Sequence, residues 1–195
     1  MPRIVNHDHR RAELASAIWS LIREQGLSGV TLRNLSERSG WSSGAIRHYL
    51  PNRQAILNFG AEHLNERVEH RLRSLPQTRD HRQNLLHFLE NLLPLDDETR
   101  LWMEVWVAYV GEAVSDQGYA DTQGMLYTNL NAVITQILED FARAGWQLQY
   151  SPEQSATQLH ALLDGLSVHV LMGRVPPEQA KQALQHMVDH LLSPP

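Results

Sequence analysis

The segment at residues 42–49 carries side chains that suit the reading of nucleic-acid bases, with the sequence SSGAIRHY. If this segment is helical, Ile46 and Tyr49 lie three residues apart and face a hydrophobic core. The opposite face presents Ser43, Gly44, Arg47 and His48. An arginine can make a bidentate contact to guanine, and hydroxyl and imidazole groups can hydrogen-bond bases or phosphates. The spacing therefore predicts a helix whose polar face contacts base edges.

Further polar residues stand near the starts of predicted helices, namely Thr31, Ser42 and Arg53. The free backbone N–H groups at a helix start, together with such a side chain, can hold a phosphate. The full set of predicted DNA contacts is Thr31, Arg33, Ser42, Ser43, Gly44, Arg47, His48, Tyr49 and Arg53.

Short capped helices are predicted to position these residues. A first amphipathic helix ends at Gly26, and a second, capped by Thr31, ends at Ser39 and Gly40. Ser42 caps the third, and a fourth follows residues 51–52 and continues to about residue 73. Two short helices joined by a turn that contains glycine are typical of a helix-turn-helix, whose second helix enters the major groove. The alternative is a capped helical hairpin inside a bundle without DNA contacts.

The charge is divided unevenly along the chain, although its net value is -5. Residues 1–60 contain eight arginines and four acids, whereas residues 83–195 contain four basic residues and fourteen acids. This asymmetry favours one end that approaches polyphosphate, and the alternative is chance variation among solvated faces. The absence of cysteine excludes disulfides, zinc fingers and thiol chemistry. No apolar run predicts a signal peptide or a membrane span, so we expect a cytoplasmic protein.

Residues 11–57 resemble the N-terminal domain of TetR-type regulators. The resemblance lies in the run GLSGVTLRNLSERSGWSSGAIRHYLPNRQAIL, which supplies the family's Thr-Leu-x-x-Leu pattern, its small residues and its aromatic end. There are departures from the family pattern. Arg47 stands where a tyrosine is usual, Leu50 replaces a phenylalanine, Arg53 replaces a lysine, and Trp41 replaces a small aliphatic residue. Because Arg47 departs from the family pattern, the resemblance does not identify the operator sequence.

The resemblance implies an all-α protein with a helix-turn-helix domain at residues 1–54 and a ligand-binding and dimerisation domain at residues 55–195. It also implies a homodimeric repressor that a small-molecule inducer of unknown identity releases from a palindromic operator on double-stranded DNA. The sequence contains no glycine-rich phosphate loop, nucleophile elbow or zinc-protease motif, so we predict neither an enzyme nor a cofactor. The more serious alternative is an interaction protein on a TetR-like scaffold that has lost ligand control.

Amphipathic segments at about 80–93, 97–115, 121–145, 152–172 and 177–192 predict five further helices, with one break at residues 116–118. The run ALLDGLSVHVLMGR resembles the BetI-like branch of the family, named for a choline-responsive repressor. This resemblance implies that the last two helices pair with those of a second copy. The predicted dimer interface is Leu159, Leu163, Leu166, Val170, Leu184, Met187, Val188 and Leu191. The alternative is that these side chains cover the domain's own core.

Trp102, Trp106 and Tyr109 recur at i, i+4 and i+7, which puts three rings along one helix face. An aromatic wall beside a carboxylate suits a cation, and Glu104 and Asp164 are the candidate carboxylates. The alternative for such a stripe is the core. Metal binding is not predicted. His160 and Asp164 share a helix face, but His169 lies nearly opposite Asp164 by helical rotation. His186 and His190 stand at i and i+4, a spacing that can hold a metal but is more often a solvated surface pair.

Overall fold

The protein is described by a computed structural model over residues 7–114 and 117–194, and this part is almost entirely helical. The all-α prediction is confirmed. The helices are α1 (His7–Gln25), α2 (Leu32–Ser39), α3 (Ser43–Tyr49), α4 (Arg53–Arg73), α5 (His81–Glu90), α6 (Asp97–Ala113), α7 (Gln117–Arg143), α8 (Pro152–Leu171) and α9 (Pro177–Leu191). A 3-10 turn, Leu27–Gly29, joins α1 to α2.

Helices α2, α3 and α4 start at the predicted capping residues. The side chains of Thr31, Ser42 and Asn52 accept hydrogen bonds of 3.1, 3.2 and 2.8 Å from the backbone N–H three residues further on. Gly40 ends α2 with a φ of 71°, a conformation that costs little only for glycine. The turn between α2 and α3 therefore has the short, glycine-containing form of a helix-turn-helix.

Two hydrophobic cores organise the part of the chain that the structure describes. The first core joins α1, α2 and α3 to the N-terminal half of α4 and to side chains of α6, of which Trp102, Val105 and Tyr109 are buried. The second core is built by α5, α7, α8 and α9. The first core thus extends past residue 54, so α4 and α6 belong physically to both halves of the molecule.

The boundaries of the later helices differ slightly from those predicted. Helix α7 begins at Gln117, earlier than the predicted residue 121, and part of the predicted break at 116–118 lies outside the described residues. Two strands of two residues each, β1 (Gln147–Leu148) and β2 (Leu192–Ser193), pair antiparallel and fasten the C-terminus to the loop after α7. Strands this short carry no periodicity, so the sequence does not reveal them. None of the helices in the described part is long and apolar enough to cross a membrane.

Candidate functional site

The outward face of α3 presents the predicted polar residues. Ser43, Gly44, Arg47 and His48 are exposed, and Ile46 is fully buried beneath them. The expectation that Tyr49 faces the core is wrong, because its side chain is 58% exposed and Leu50 occupies the core instead. The Tyr49 ring lies edge-on to His48, with 5.1 Å between the ring centroids. The surface of α3 therefore offers a guanidinium, an imidazole, a hydroxyl and a phenol side by side.

The turn before α3 is packed by Trp41. The Trp41 side chain is half-buried, and the Arg10 guanidinium lies 5.5 Å from its ring centroid. The backbone carbonyl of Trp41 accepts a 2.6 Å hydrogen bond from the Ser36 hydroxyl. Such contacts hold the turn in one conformation, which fixes the direction in which α3 projects from α2.

The two arginines that flank α3 are exposed and already hydrogen-bonded within the chain. Arg33 donates to Glu37 over 3.0 Å, one turn further along α2. Arg53, at the start of α4, donates to the Leu27 carbonyl over 2.6 Å. This second bond ties α4 to the turn after α1, so the start of α4 and the helix-turn-helix share a rigid connection.

Helix α4 lies unusually close to α1 and α6. The Trp19 indole N–H donates to the Gly60 carbonyl over 2.9 Å, and the Tyr109 hydroxyl donates to the Leu57 carbonyl over 2.6 Å. A Cβ atom at Gly60 would stand 2.8 Å from Cγ2 of Ile18, which is closer than a side chain can approach. Only a glycine allows this approach.

A cavity of about 360 Å³ lies among α4, α5, α6, α7 and α8. Most of its wall is apolar, and the apolar lining includes Leu64, Val68, Leu72, Phe88, Leu92, Met103, Leu130, Val133 and Leu163. Its size falls within the range of small-molecule sites in proteins, roughly 300–1,000 Å³. Because seven of its lining residues belong to α4, whatever fills the cavity touches the helix that begins beside α3.

The polar part of the inner wall comes mainly from α6 and α8, and Asn129 on α7 adds one more polar side chain. The Trp106 indole N–H donates to Oδ1 of Asp164 over 3.2 Å, and His160 and Ser167 lie on the same α8 face as Asp164. The Tyr127 ring stacks on His160 with 4.4 Å between centroids. Burial raises the pKa of the Asp164 carboxyl and lowers the pKa of the His160 imidazole, while their mutual attraction opposes both shifts.

The edge of the cavity on α4 carries a neutralised ion pair. Arg73 donates to Glu69 over 2.7 Å, and Asn65 donates to the other oxygen of the same carboxylate over 2.9 Å. The charges of these lining residues therefore cancel, and Asp164 is left as the acid of the inner wall.

The structure divides the predicted ligand-binding residues. Trp106 and Asp164 line the cavity. Trp102 and Tyr109 are instead buried in the first core, which agrees with the alternative that the stripe belongs to the core. The Glu104 carboxylate forms ion pairs with Arg23 and Arg100 at 2.9 and 3.2 Å. The stripe therefore lies between the first core and the cavity, and of its three rings only that of Trp106 faces the cavity. The sequence reasoning missed His160 and Ser167 as cavity residues, although both share a helical face with Asp164.

The predicted dimer interface also needs correction. Seven of its eight side chains are buried inside one protomer, in the second core, and the eighth, Met187, is half-buried. Their amphipathic pattern reflects packing between α8, α9 and their neighbours in the same chain. The exposed face of α8 instead carries Ala161, Gly165 and His169, with Met172 62% exposed at its end.

The histidines weighed as metal ligands do not meet. His160 is buried in the cavity wall, whereas His169, His186 and His190 are exposed on α8 and α9. Within residues 7–114 and 117–194, no group of three His, Cys, Asp or Glu side chains could hold a metal ion.

Comparison with known proteins gives consistent matches. A family model described as "BetI-type transcriptional repressor, C-terminal" matches residues 81–193. The HTH-type transcriptional regulator PksA of Bacillus subtilis (strain 168) is 28% identical, over 98% of this chain and 94% of that protein. A putative TetR-family transcriptional regulator from Rhodococcus sp. has a TM-score of 0.86 at 20% identity, over 95% of this chain and all of the other (100%). A regulator from Saccharomonospora viridis, solved in complex with choline, has a TM-score of 0.80 at 22% identity, covering 95% and 99%.

Proposed function

The chain belongs to the BetI-type family of TetR transcriptional repressors, and from this premise we propose that it is a dimeric repressor which leaves its operator when a small molecule fills the cavity. The single observation that carries the proposal is helix α4. It starts next to the helix-turn-helix and lines the cavity along its second half. One element thus touches both the surface suited to DNA and the space suited to a ligand.

The DNA contacts divide by chemistry. We assign base contacts to the exposed face of α3, at Ser43, Gly44, Arg47, His48 and Tyr49. Phosphate contacts fall to the helix starts and their flanking arginines, at Thr31, Arg33, Ser42 and Arg53. Phosphate contacts fix the register of the protein on the duplex, whereas base contacts supply sequence preference. Arg47 is therefore the residue on which we expect operator choice to depend most.

A dimer is needed to place two recognition helices in successive major grooves about 34–36 Å apart. We assign the interface to the outward faces of α8 and α9, because their inward faces are occupied within the protomer. The small residues Ala161 and Gly165 allow a partner helix to approach closely, and Met172 adds exposed apolar surface.

Release from DNA follows from the position of α4. A ligand among Leu64, Val68 and Leu72 would displace the C-terminal half of α4. Its N-terminal half is held to α1 by the Trp19–Gly60 hydrogen bond, so the helix-turn-helix would move with it. A changed spacing between the two α3 helices of a dimer lowers operator affinity. The structural relative from Saccharomonospora viridis contains choline, which supports a small organic molecule as the effector of this fold.

The test is a selection of bound fragments from random DNA with the full-length protein, followed by a salt titration on the enriched sequence. Enrichment of a palindrome, bound by dimers with strong salt dependence, would support the proposal. Salt-sensitive binding without any enriched motif would instead indicate an architectural protein. Absence of DNA binding would favour the interaction-protein alternative and refute the proposal. The relatives are named as transcriptional regulators, and we infer no enzymatic activity for this chain.

A further inference from the structure

Three polar side chains of α8 form a row along the inner wall of the cavity. His160, Asp164 and Ser167 stand at i, i+4 and i+7 and all line the same space. His160 and Ser167 are each only 1% exposed. Nδ1 of His160 and Oγ of Ser167 have no hydrogen-bond partner among the described residues. Buried polar atoms are nearly always bonded in folded proteins. Of the unpartnered buried side-chain atoms in the described residues, these two are the ones whose residues line the cavity, so they point to a missing partner there.

The row is rich in hydrogen-bond acceptors. An ionised carboxylate accepts about four hydrogen bonds, and the Trp106 N–H occupies one position on Asp164. The Ser167 hydroxyl and a neutral imidazole nitrogen also accept. A ligand that donates several hydrogen bonds from one end would therefore satisfy all three groups together.

The charges around the cavity favour a cation over an anion. Among the described lining residues Arg73 is the one arginine, and it is bound to Glu69. His160 is the other basic group there, and burial lowers its pKa, which disfavours its charged form. Burial also raises the pKa of Asp164, and a bound cation would stabilise the ionised carboxylate against that effect.

The remainder of the cavity wall is mostly apolar, apart from Asn129 on α7 and the Asn65, Glu69 and Arg73 group at the α4 edge. Side chains from α4, α5 and α7 surround it, among them Val68, Phe88 and Val133. The volume of about 360 Å³ limits the occupant to a compact molecule. The ligand is thus polar at one end, which meets α8, and hydrocarbon over the rest.

We propose that the cavity binds a small amine in its protonated form, with N–H groups directed at Asp164, Ser167 and His160 and an apolar body among the α4, α5 and α7 side chains. The proposal rests on the proposed function and names the class of its effector. A quaternary ammonium ion carries the same charge but has no N–H to donate. It would leave the Ser167 and His160 atoms without partners, so the cavity discriminates against it.

The experiment compares probes that differ only at the polar end, by calorimetric titration of the full-length protein. One set is phenethylamine, phenethyltrimethylammonium and phenethyl alcohol, and a second is hexylamine, hexyltrimethylammonium and hexanol. A charge-assisted hydrogen bond in a buried site is worth about a tenfold to hundredfold change in Kd. We therefore expect one of the two amines to bind at least about tenfold more tightly than its trimethylated and hydroxyl counterparts.

Variants test whether the α8 row is responsible. Asp164→Asn keeps an oxygen for the Trp106 N–H but loses the charge, and Ser167→Ala removes the hydroxyl. Each should weaken amine binding by about tenfold, and Asp164→Asn should weaken the amines much more than the alcohols, which carry no charge. Asp140→Asn, on an exposed carboxylate of α7 that pairs with Arg143, is the matched control and should change nothing.

The outcomes separate this proposal from the repressor function. Equal binding of amine and trimethylammonium, equal binding of amine and alcohol, or no binding of either amine would overturn the amine assignment. So would an Asp164→Asn protein that binds the amine as well as the unmodified chain. If an amine binds as expected but leaves the selected DNA bound, the ligand class stands and the coupling to DNA fails. If only an alcohol binds and releases DNA, the repressor function stands and the amine assignment fails.

Discussion

The close approach of α4 to α1 predicts a measurable cost for a single added methyl group, in Gly60→Ala. The new Cβ would stand 2.8 Å from Cγ2 of the fully buried Ile18 and 3.3 Å from the Tyr109 hydroxyl. Replacing a helical glycine by alanine ordinarily stabilises by about 1 kcal/mol. Overpacking a rigid core costs about 1–3 kcal/mol, and a lengthened buried hydrogen bond from Tyr109 or Trp19 costs about 1 kcal/mol more. We expect a net loss of about 1–3 kcal/mol in the free energy of unfolding.

The assay is urea unfolding at fixed protein concentration, because dimerisation makes apparent stability depend on concentration. Gly124→Ala is the matched control. Gly124 is exposed on α7 with open space where a Cβ would lie, so this change should stabilise by up to about 1 kcal/mol. If Gly60→Ala stabilises as much as Gly124→Ala does, the approach of the two helices is not rigid and the argument fails. In an Ile18→Ala background the contact atom is gone, and the cost of Gly60→Ala should largely disappear.

Three further predictions concern the DNA surface, the cavity and the dimer. Arg47→Ala should cost about 1–3 kcal/mol of binding free energy on the selected operator and relax the preference at one base pair per half-site. Arg143→Ala on α7 is the control and should change neither. Equal losses of affinity on operator and random DNA would show that Arg47 contacts only phosphate. Because burial raises the pKa of Asp164, the folded state keeps the carboxyl proton to higher pH than the unfolded state does, and stability falls as the pH rises through this interval. Asp164→Asn should therefore stabilise the unliganded protein at neutral pH but not at acid pH. A difference in urea midpoint between the two proteins that does not change with pH would contradict this. Gly165→Glu places a charged side chain in open space on the outer face of α8, so the chain should fold but sediment as a monomer. The control protein with Gly124→Glu should remain dimeric. A dimeric Gly165→Glu protein would place the interface elsewhere.

The helix-turn-helix could be predicted from the sequence because its determinants are local. Thr31, Ser42 and Asn52 cap helices through contacts to residues three positions away, and Gly40 ends α2 through its own backbone conformation. Such interactions are encoded within a few residues, so a pattern reveals them. Tyr49 is the exception, since it stands at the last turn of α3, where helical phase is poorly defined and Leu50 takes the buried place.

The cavity could be predicted only in part because five separate helices build it. Helical spacing places Trp102, Trp106 and Tyr109 on one stripe but does not say which neighbour each ring meets. Likewise, the leucines of α8 require an apolar partner, and the sequence cannot distinguish a helix of the same chain from one of a second copy. Tertiary packing places Trp102 and Tyr109 in the first core and the α8 leucines in the second, and it leaves Trp106 at the cavity.

The sharing of the first core between the N-terminal helices and α6 bears on how such proteins can be recombined. A fragment that stops at residue 54 would expose the α1 side chains that α4 and α6 cover, including the surface that meets Trp102 and Val105. Such a fragment would not be an autonomous module. A chimera that joins the first helices of one relative to the sensor of another must therefore exchange matching surfaces of α1, α4 and α6 together. In this fold, DNA and ligand preference can be exchanged by replacing the side chains on the DNA-facing surface and in the cavity. They cannot be exchanged by cutting the chain at one point and joining the pieces.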